Sequence, residues 1–550
     1  MLTRLTLWLL PLSFLAAFFY VPLLRVFSEV LDARLAAPEN LRIAFDVLGF
    51  TVWQASLSTL FTLALGIPTA FLLTRYRFPG RALVRTVTAV PFMLPTVVVA
   101  AGFNALLGPH GLLNLILMRG LGLETPPIKL AGTLGAIILA HVFYNSTIVI
   151  RMVSTALGSL SPRLEPAARS LGADGPRFWS SVLLPMLRPA VLGSALLVFL
   201  FDFTSFGVVL LLGAGNFSTL EVEIFVRVLR LPNLPLAALL SLIQLVFTLL
   251  ILWLYARVSG GGVQSAPSTD EADRGRSPGS SRRLVVSVAS GFLLFFFLAP
   301  LLVLPVRSVW RVEADRGQRL DVQAGLTVDY YRELFVNRFA SAFYVPPIRA
   351  AANSLVYAAA TVGLSLLLGW PAAWALAGSS NVERSVNSLL MLPLGASAVT
   401  LGLGLILTYG RGLSSPAFVP LAHTLVALPF VIRILQPAVE SIPRRLRQAA
   451  AALGASPLRV WATVDWPIVG RSTVAAAVFT LTISLGEFGA ALLITRPEYP
   501  TIPVAIYRFL SQPGGANYGQ AMAMATILMV LTGLCVFSLD QLRLPGRQEI

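Results

Sequence analysis

The sequence predicts an all-α integral membrane protein, twelve transmembrane helices arranged as two parallel six-helix repeats. Three observations predict it. Of the 550 residues 56% are hydrophobic and 12% charged, with a mean hydropathy of +0.79, whereas a soluble domain carries about 25% charged residues. Apolar stretches of the ~20 residues that span ~30 Å of hydrocarbon as a helix recur along the chain. A shift of 282 positions lays the second half of the sequence on the first.

The twelve apolar runs are 6–24, 50–73, 88–107, 131–152, 190–212, 235–255, 284–306, 351–376, 388–408, 416–436, 472–494 and 519–538. The first follows Arg4 and has the basic-then-apolar order of a signal peptide. Its counterpart in the chain, the run after Arg282 and Arg283, sits where no signal can, so both read as retained helices. An N-terminus inside the cell puts Arg75, Arg77, Arg81 and Arg85 in a cytoplasmic loop, as the positive-inside rule asks. Both termini are then cytoplasmic, and the net charge of +16 reports membrane orientation, not nucleic-acid binding. Between the sixth and seventh runs, residues 259–283 (SGGGVQSAPSTDEADRGRSPGSSRR) have too little apolar surface to fold and read as a flexible cytoplasmic linker. They divide the chain into halves, 1–258 and 284–550. In the long external loop from Arg307 to Arg349, TVDYYRELF (327–335) predicts a short interfacial helix.

The repeat is detailed. At one offset Leu139-Ala140-His141 falls on Leu421-Ala422-His423, Ile150-Arg151 on Ile432-Arg433, and Phe206-Gly207 on Phe488-Gly489. Because six spans separate the copies, both halves have the same orientation, with a pathway expected between them. The most polar copied segments are PAARSLGADGPRFWSSVLLP (166–185) and QAAAALGASPLRVWATVDWP (448–467), each between the fourth and fifth spans of its half. Ala167, Ala168 and Leu171 fit one face of a short helix that Gly172 ends in the left-handed conformation. A second helical stretch, FWSSVLL, leads to Pro185, where the chain is expected to turn into the next span. Small residues on such a helix suit a docking ridge, and Trp179 and Trp461 are placed to pack the loops against the membrane interface.

These two segments resemble the EAA loop of ATP-binding-cassette (ABC) importer permeases, the loop whose coupling helix docks on an ATPase subunit. The first loop, 163–188, matches at Ala167, Ala168, Leu171, Gly172, Val182, Leu184 and Pro185; the second, 445–470, at Ala449, Ala450, Leu453, Gly454, Val464, Trp466 and Pro467. Both depart from the family at Pro166 and Gln448, which stand where it has glutamate, with Glu165 displaced by one position. The segments RFPGR (77–81), GPHGLLNLIL (108–117), ILAHVFYN (138–145) and SLGEFGAALLI (484–494) are similar to the fused two-half permeases of thiamine importers. Iron(III) importer permeases share that architecture and compete for the assignment. The resemblance implies a type I importer permease fold in the bacterial inner membrane. It also implies two copies of an ABC ATPase carrying ATP-Mg, an extracytoplasmic solute-binding protein, and alternating access by a chain that is itself no enzyme and binds no cofactor.

The residues agree with that division of labour. Lys129 is the only lysine and follows Ile128, so no Gly-Lys-Ser/Thr phosphate loop exists here. Cys535 is the single cysteine and reads as a small buried hydrophobe, and His110, His141 and His423 form no local metal motif. Asp202 in run five and Glu487 in run eleven are carboxylates inside apolar stretches, where charge usually faces a bundle interior or a water-filled path. They are candidate pathway residues for a cationic cargo, against the alternative that they only tie helices together. A twelve-helix secondary transporter fits the helix count but gives no reason to repeat a loop between spans four and five, and TRYRFPGRALVR (74–85) lacks its glycine-and-aspartate signature.

Overall fold

In a computed structural model the described residues are helical almost throughout, the one sheet among them being the pair Trp310–Arg311 and Gly325–Leu326. The structure describes residues 2–31, 38–161, 163–259, 277, 279–311, 325–336, 346–377, 381–410 and 415–542. The linker expected at 259–283 lies mostly outside the described residues.

The first half comprises α1 (Leu7–Val30), α2 (Pro38–Arg75), α3 (Arg81–Ala89), α4 (Thr96–Leu121), α5 (Leu134–Ser159), α6 (Leu164–Ser170), α7 (Trp179–Phe203), α8 (Gly207–Leu212), α9 (Leu220–Leu229) and α10 (Leu234–Ser259). The second comprises α11 (Ser280–Ser308), α12 (Ile348–Leu376), α13 (Asn381–Met391), α14 (Ala398–Tyr409), α15 (Phe418–Glu440), α16 (Arg444–Ala452), α17 (Pro457–Gly486), α18 (Gly489–Ile494), α19 (Ile502–Leu510) and α20 (Gly515–Leu542). Eleven described helices are long and apolar enough to cross a membrane, twelve if the bent pair around Gly395 counts as one span. All twelve apolar runs of the sequence correspond to them. The segment between α11 and α12 carries a short helix at Asp329–Glu333, inside the expected 327–335.

Two expectations about span shape change. Runs three and nine are bent, not straight: α3 ends before the tight turn Pro91–Met93, and α13 meets α14 at 97° across Leu392–Gly395. Pro91, Pro95 and Pro393 remove backbone donors there and bar a continuous helix. Runs five and eleven stop short: α7 ends at Phe203 and α17 at Gly486, and the rest of each run forms the separate short helices α8 and α18. Asp202 therefore stands at the end of its helix and Glu487 just past the end of its own, not in mid-span.

Each half has a three-helix core, α2·α5·α7 in one and α12·α15·α17 in the other. The reason is the burial pattern of α2. Thr51, Gln54, Ala55, Ser58, Thr62, Gly66 and Ala70 are buried while Trp53, Leu60 and Phe61 are exposed. Lipid is as apolar as leucine, so large side chains gain little by facing inward and small residues let backbones approach. Gly66 meets Val149 and Gly369 meets Val431 at contacts that a Cβ would make 2.6 and 2.5 Å long. Thr51 Oγ1 accepts from Leu220 N–H at 3.0 Å and Ser354 Oγ from Ile502 N–H at 2.9 Å, one bond per half between the second span and the buried start of α9 or α19.

The first span of each half packs on the other half: α1 lies against α12 and α14, and α11 against α3 and α4. α9 touches α14 and α19 touches α4, so each half also sends a short helix across the junction.

Candidate functional site: paired loops and a cavity between the halves

The repeated loops adopt one geometry twice. Gly172 (φ +78°) and Gly454 (φ +80°) are both left-handed. Ala173 N–H reaches Ala168 C=O and Gly172 N–H reaches Arg169 C=O, each at 2.9 Å. In the second loop Ala455 N–H reaches Ala450 C=O at 3.0 Å and Gly454 N–H reaches Ala451 C=O at 2.9 Å. This is the six-to-one, five-to-two bond pair that closes a helix C-terminus around a glycine. It leaves Leu171 and Leu453 at the tip, 88% and 89% exposed. Two large apolar side chains held almost fully in solvent, at matched positions, gain nothing from the fold of this chain alone.

The docking face differs from the expected one by one alanine. Ala168 is buried against Ala156, Phe178 and Leu183, and Ala450 is half-buried. Pro166, Ala167, Leu171 and Gly172 are exposed, as are Gln448, Ala449, Leu453 and Gly454 in the second loop. Val182 and Val464 are half-buried, while Leu184, Pro185, Trp466 and Pro467 are exposed.

The chain does not turn at Pro185 as the sequence suggested. The loop's second helix runs straight into the fifth span through a π-helical stretch, Trp179–Leu183 in one half and Trp461–Asp465 in the other, 282 positions apart. Leu184 N–H bonds to Trp179 C=O and Trp466 N–H to Trp461 C=O, a five-residue step immediately before each proline. Widening the helix by one residue accommodates the donor that proline lacks without a break. Each indole touches one other ring and stays exposed, Trp179 lying 4.5 Å from Phe71 and Trp461 5.5 Å from Trp466, ring centre to ring centre.

The displaced acid has a local partner. Arg75 Nη2, at the end of α2, donates to both Glu165 oxygens at 2.8 Å, and Arg169 Nη2 donates to Oε1 at 2.7 Å. The second loop inverts the charge. Arg447 stands 282 positions after Glu165, donates to Asp465 Oδ1 at 2.7 Å and lies 4.5 Å from the centre of the Trp374 ring.

Deeper in the bundle, His141 and His423 each tie their half together. His141 Nδ1 receives the Gln54 amide at 2.8 Å and lies 3.3 Å from Asp202 Oδ1, while Nε2 shares a hydrogen with Ser205 Oγ at 2.8 Å. His423 bonds Ser484 Oγ at 2.7 Å through Nδ1, and its Nε2 is 3.2 Å from Glu487 Oε2. The positions 202 and 205 hold Asp and Ser; their counterparts 484 and 487 hold Ser and Glu. The same trio is built in both halves with acid and hydroxyl exchanged. In each half the trio joins helices: three of the four ring nitrogens are hydrogen-bonded, and His423 Nε2 stands beside the Glu487 carboxylate.

The two candidate pathway acids part company. Asp202 is fully buried, accepts from Asn145 Nδ2 at 2.8 Å, and is not among the residues lining the cavity described next. Glu487 caps α18, accepting Ala490 and Ala491 N–H at 2.9 Å, and does line that cavity. The cavity, about 360 Å³, lies between the halves, with Phe206 stacked on Phe488 at 5.3 Å across the junction. A third carboxylate, Glu221 at the start of α9, joins Glu487 on its wall. Sequence reasoning missed Glu221 because STLEVEIF (218–225) is too short and too polar to read as membrane-embedded. Its buried first turn was the signal only a fold supplies. A second cavity, about 480 Å³, is lined by Arg81, Arg85 and Arg151 and contains no carboxylate.

No family model matches the sequence. Relatives do. The thiamine transport system permease protein ThiP of Brucella abortus is 29% identical over 495 residues, covering 88% of this chain and 85% of that protein. The protein of the same name from Escherichia coli is 28% identical over 511 residues, covering 92% and 89%. A probable ABC transporter permease of Sinorhizobium fredii is 25% identical over 549 residues, covering 97% and 92%.

Proposed function

We infer that this chain is the permease of an ABC importer, with both six-helix halves fused in one polypeptide, and that its cargo is thiamine. The importer class rests on relatives aligned over most of their length and the chain's apolar helices. The cargo rests on the name those relatives carry.

The halves are 1–258 and 284–550, joined on the cytoplasmic side by 259–283, with both termini cytoplasmic. Two ATPase subunits, each with ATP-Mg, engage the loops 163–188 and 445–470, and a solute-binding protein delivers cargo from outside. The observation that carries the docking role is the matched exposure of Leu171 and Leu453 on glycine-capped tips. Burying one such side chain in a partner groove contributes roughly 1.5–3 kcal/mol. After the turn that follows each tip, the second helix of the loop is continuous through the π-helical stretch with the span that ends at the inter-half cavity, at Asp202 in α7 and Glu487 after α17. Closure of the ATPase pair thus pulls on helices whose far ends form the cavity wall. The cavity alternates its access as the halves rock, with Glu487 on the cargo path and Asp202 supporting it from behind.

Leu171→Asp with Leu453→Asp tests the docking role. Co-purification of the ATPase subunits is expected to fall at least about tenfold, since a buried unpaired charge costs several kcal/mol. Undiminished recovery of two ATPase copies would remove it. Uptake of labelled thiamine and of iron(III) by the reconstituted wild-type complex decides the cargo.

A further inference from the structure

Glu221 sits within the first turn of α9, a helix whose residues Leu220 to Phe225 are all buried. The side chain is 2% exposed. Gln244 Nε2 donates to Oε1 at 2.7 Å, and Oε2 has no hydrogen-bond partner. Ser397 of the other half also borders the cavity, its hydroxyl turned to Thr400 Oγ1 at 3.0 Å. Thr248 Oγ1 on the same wall is unpartnered too. The acid has no equivalent in the repeat, since Pro503 occupies the matching position.

A buried carboxylate oxygen without a donor is costly unless something positive meets it. Glu165, Asp329 and Glu223 each have an arginine within 2.8 Å; Glu221 has no basic group within ion-pair distance among the described residues. The Glu487 oxygens are taken by two backbone amides and faced by His423. That leaves Glu221 Oε2 as the carboxyl oxygen without a hydrogen-bond donor on a cavity of about 360 Å³, which is within the ~300–1,000 Å³ of small-molecule sites. Aromatic rings line the same cavity: the stacked pair Phe206 and Phe488, and Tyr144. Aromatic faces and a carboxylate attract the same kind of ligand.

We propose that Glu221 is the cation-binding carboxylate of the inter-half cavity, which takes a singly charged organic cation with planar aromatic rings. The inference rests on the importer reading and deepens it, because it assigns the charge contact to α9 and not to the two acids the sequence singled out. Asymmetry follows: the first half supplies the charge, and both halves supply the rings.

The test measures the cavity's charge preference without any cargo. Cys535→Ala leaves the chain without native thiols, and Ser397→Cys places one on the cavity wall. In the complex reconstituted with its ATPase subunits, a cationic methanethiosulfonate is expected to react at least about tenfold faster than an anionic one of equal size, a difference of ~1.4 kcal/mol. Adding Glu221→Gln should bring the ratio near one, whereas Glu221→Asp should retain it. Glu221→Met provides a second neutral variant, since replacing a buried unpaired charge with an apolar side chain is commonly tolerated. A ratio unchanged in both neutral variants overturns the proposal. The cargo is read separately, from uptake and from slowing of the modification by thiamine. Thiamine uptake with a charge preference independent of Glu221 sinks the proposal and spares the cargo; a Glu221-dependent preference without thiamine uptake sinks the cargo and spares the proposal.

Discussion

Gly66 and Gly369 are where single atoms govern the packing of each half. A methyl group at either would overlap the valine of the fourth span, Val149 or Val431. β-Branched valines cannot swing away inside a helix, so the helices must separate. Gly66→Ala and Gly369→Ala are each expected to destabilise the detergent-solubilised protein by about 1–3 kcal/mol. Val149→Ala and Val431→Ala should recover most of the respective loss. Thermal unfolding checks this, and an unaltered midpoint in the glycine variants would refute the close-contact account. The same scale explains the histidines. His141 and His423 have one position in the repeat and one role, while the acids that accompany them sit at different positions, 202 and 487. A hydrogen-bond trio tolerates exchange of its acid and hydroxyl as long as one histidine reaches both.

The loop helices are single elements with two anchoring schemes. The first is held to the end of α2 by the Arg75–Glu165 bridge, the second by Arg447 clasped between Asp465 and Trp374. The Arg75 and Glu165 side chains are 32% and 18% exposed, which limits the pair's stabilisation to about 1 kcal/mol. Its effect belongs to positioning: it fixes the direction in which Leu171 points. Arg75→Met and Glu165→Gln should each lower the ATPase rate stimulated by loaded binding protein, and the double variant should be no worse than either single one. Additive losses in that cycle would mean that the two residues act independently. The missing family glutamates, at Pro166 and Gln448, thus leave one loop with a nearby acid tied inward and the other with a base in its place.

Across the whole molecule, the halves are exchanged at their first spans, α1 packing on α12 and α14, and α11 on α3 and α4. Such an interface holds without a covalent tether. Expressed as two chains, 1–258 and 284–550, the halves are expected to co-purify and to retain uptake within about threefold, because the linker adds effective concentration and no packing. Failure of the separated halves to associate would show that the junction is weaker than its interlocked helices suggest. The exchange also makes rocking of the halves a collective movement, since each carries one helix seated on the other.

The sequence by itself determined the membrane class, the positions of all twelve apolar runs and the repeated loops with their glycine caps. Those properties are local or periodic: hydrophobic length, charge between runs, and residue spacing at one offset. Only the tertiary structure decided which alanine faces outward, that Pro185 sits within a continuous helix, and that Asp202 lies behind a cavity while Glu221 lies on it. These depend on which groups from distant segments meet. Glu221 is the clearest case, since a ten-residue stretch between two apolar runs becomes a helix with its first six residues buried only when α2, α10 and α14 close around it. The cost of an unpaired carboxylate is set by that enclosure, and enclosure is not written in any one stretch of chain.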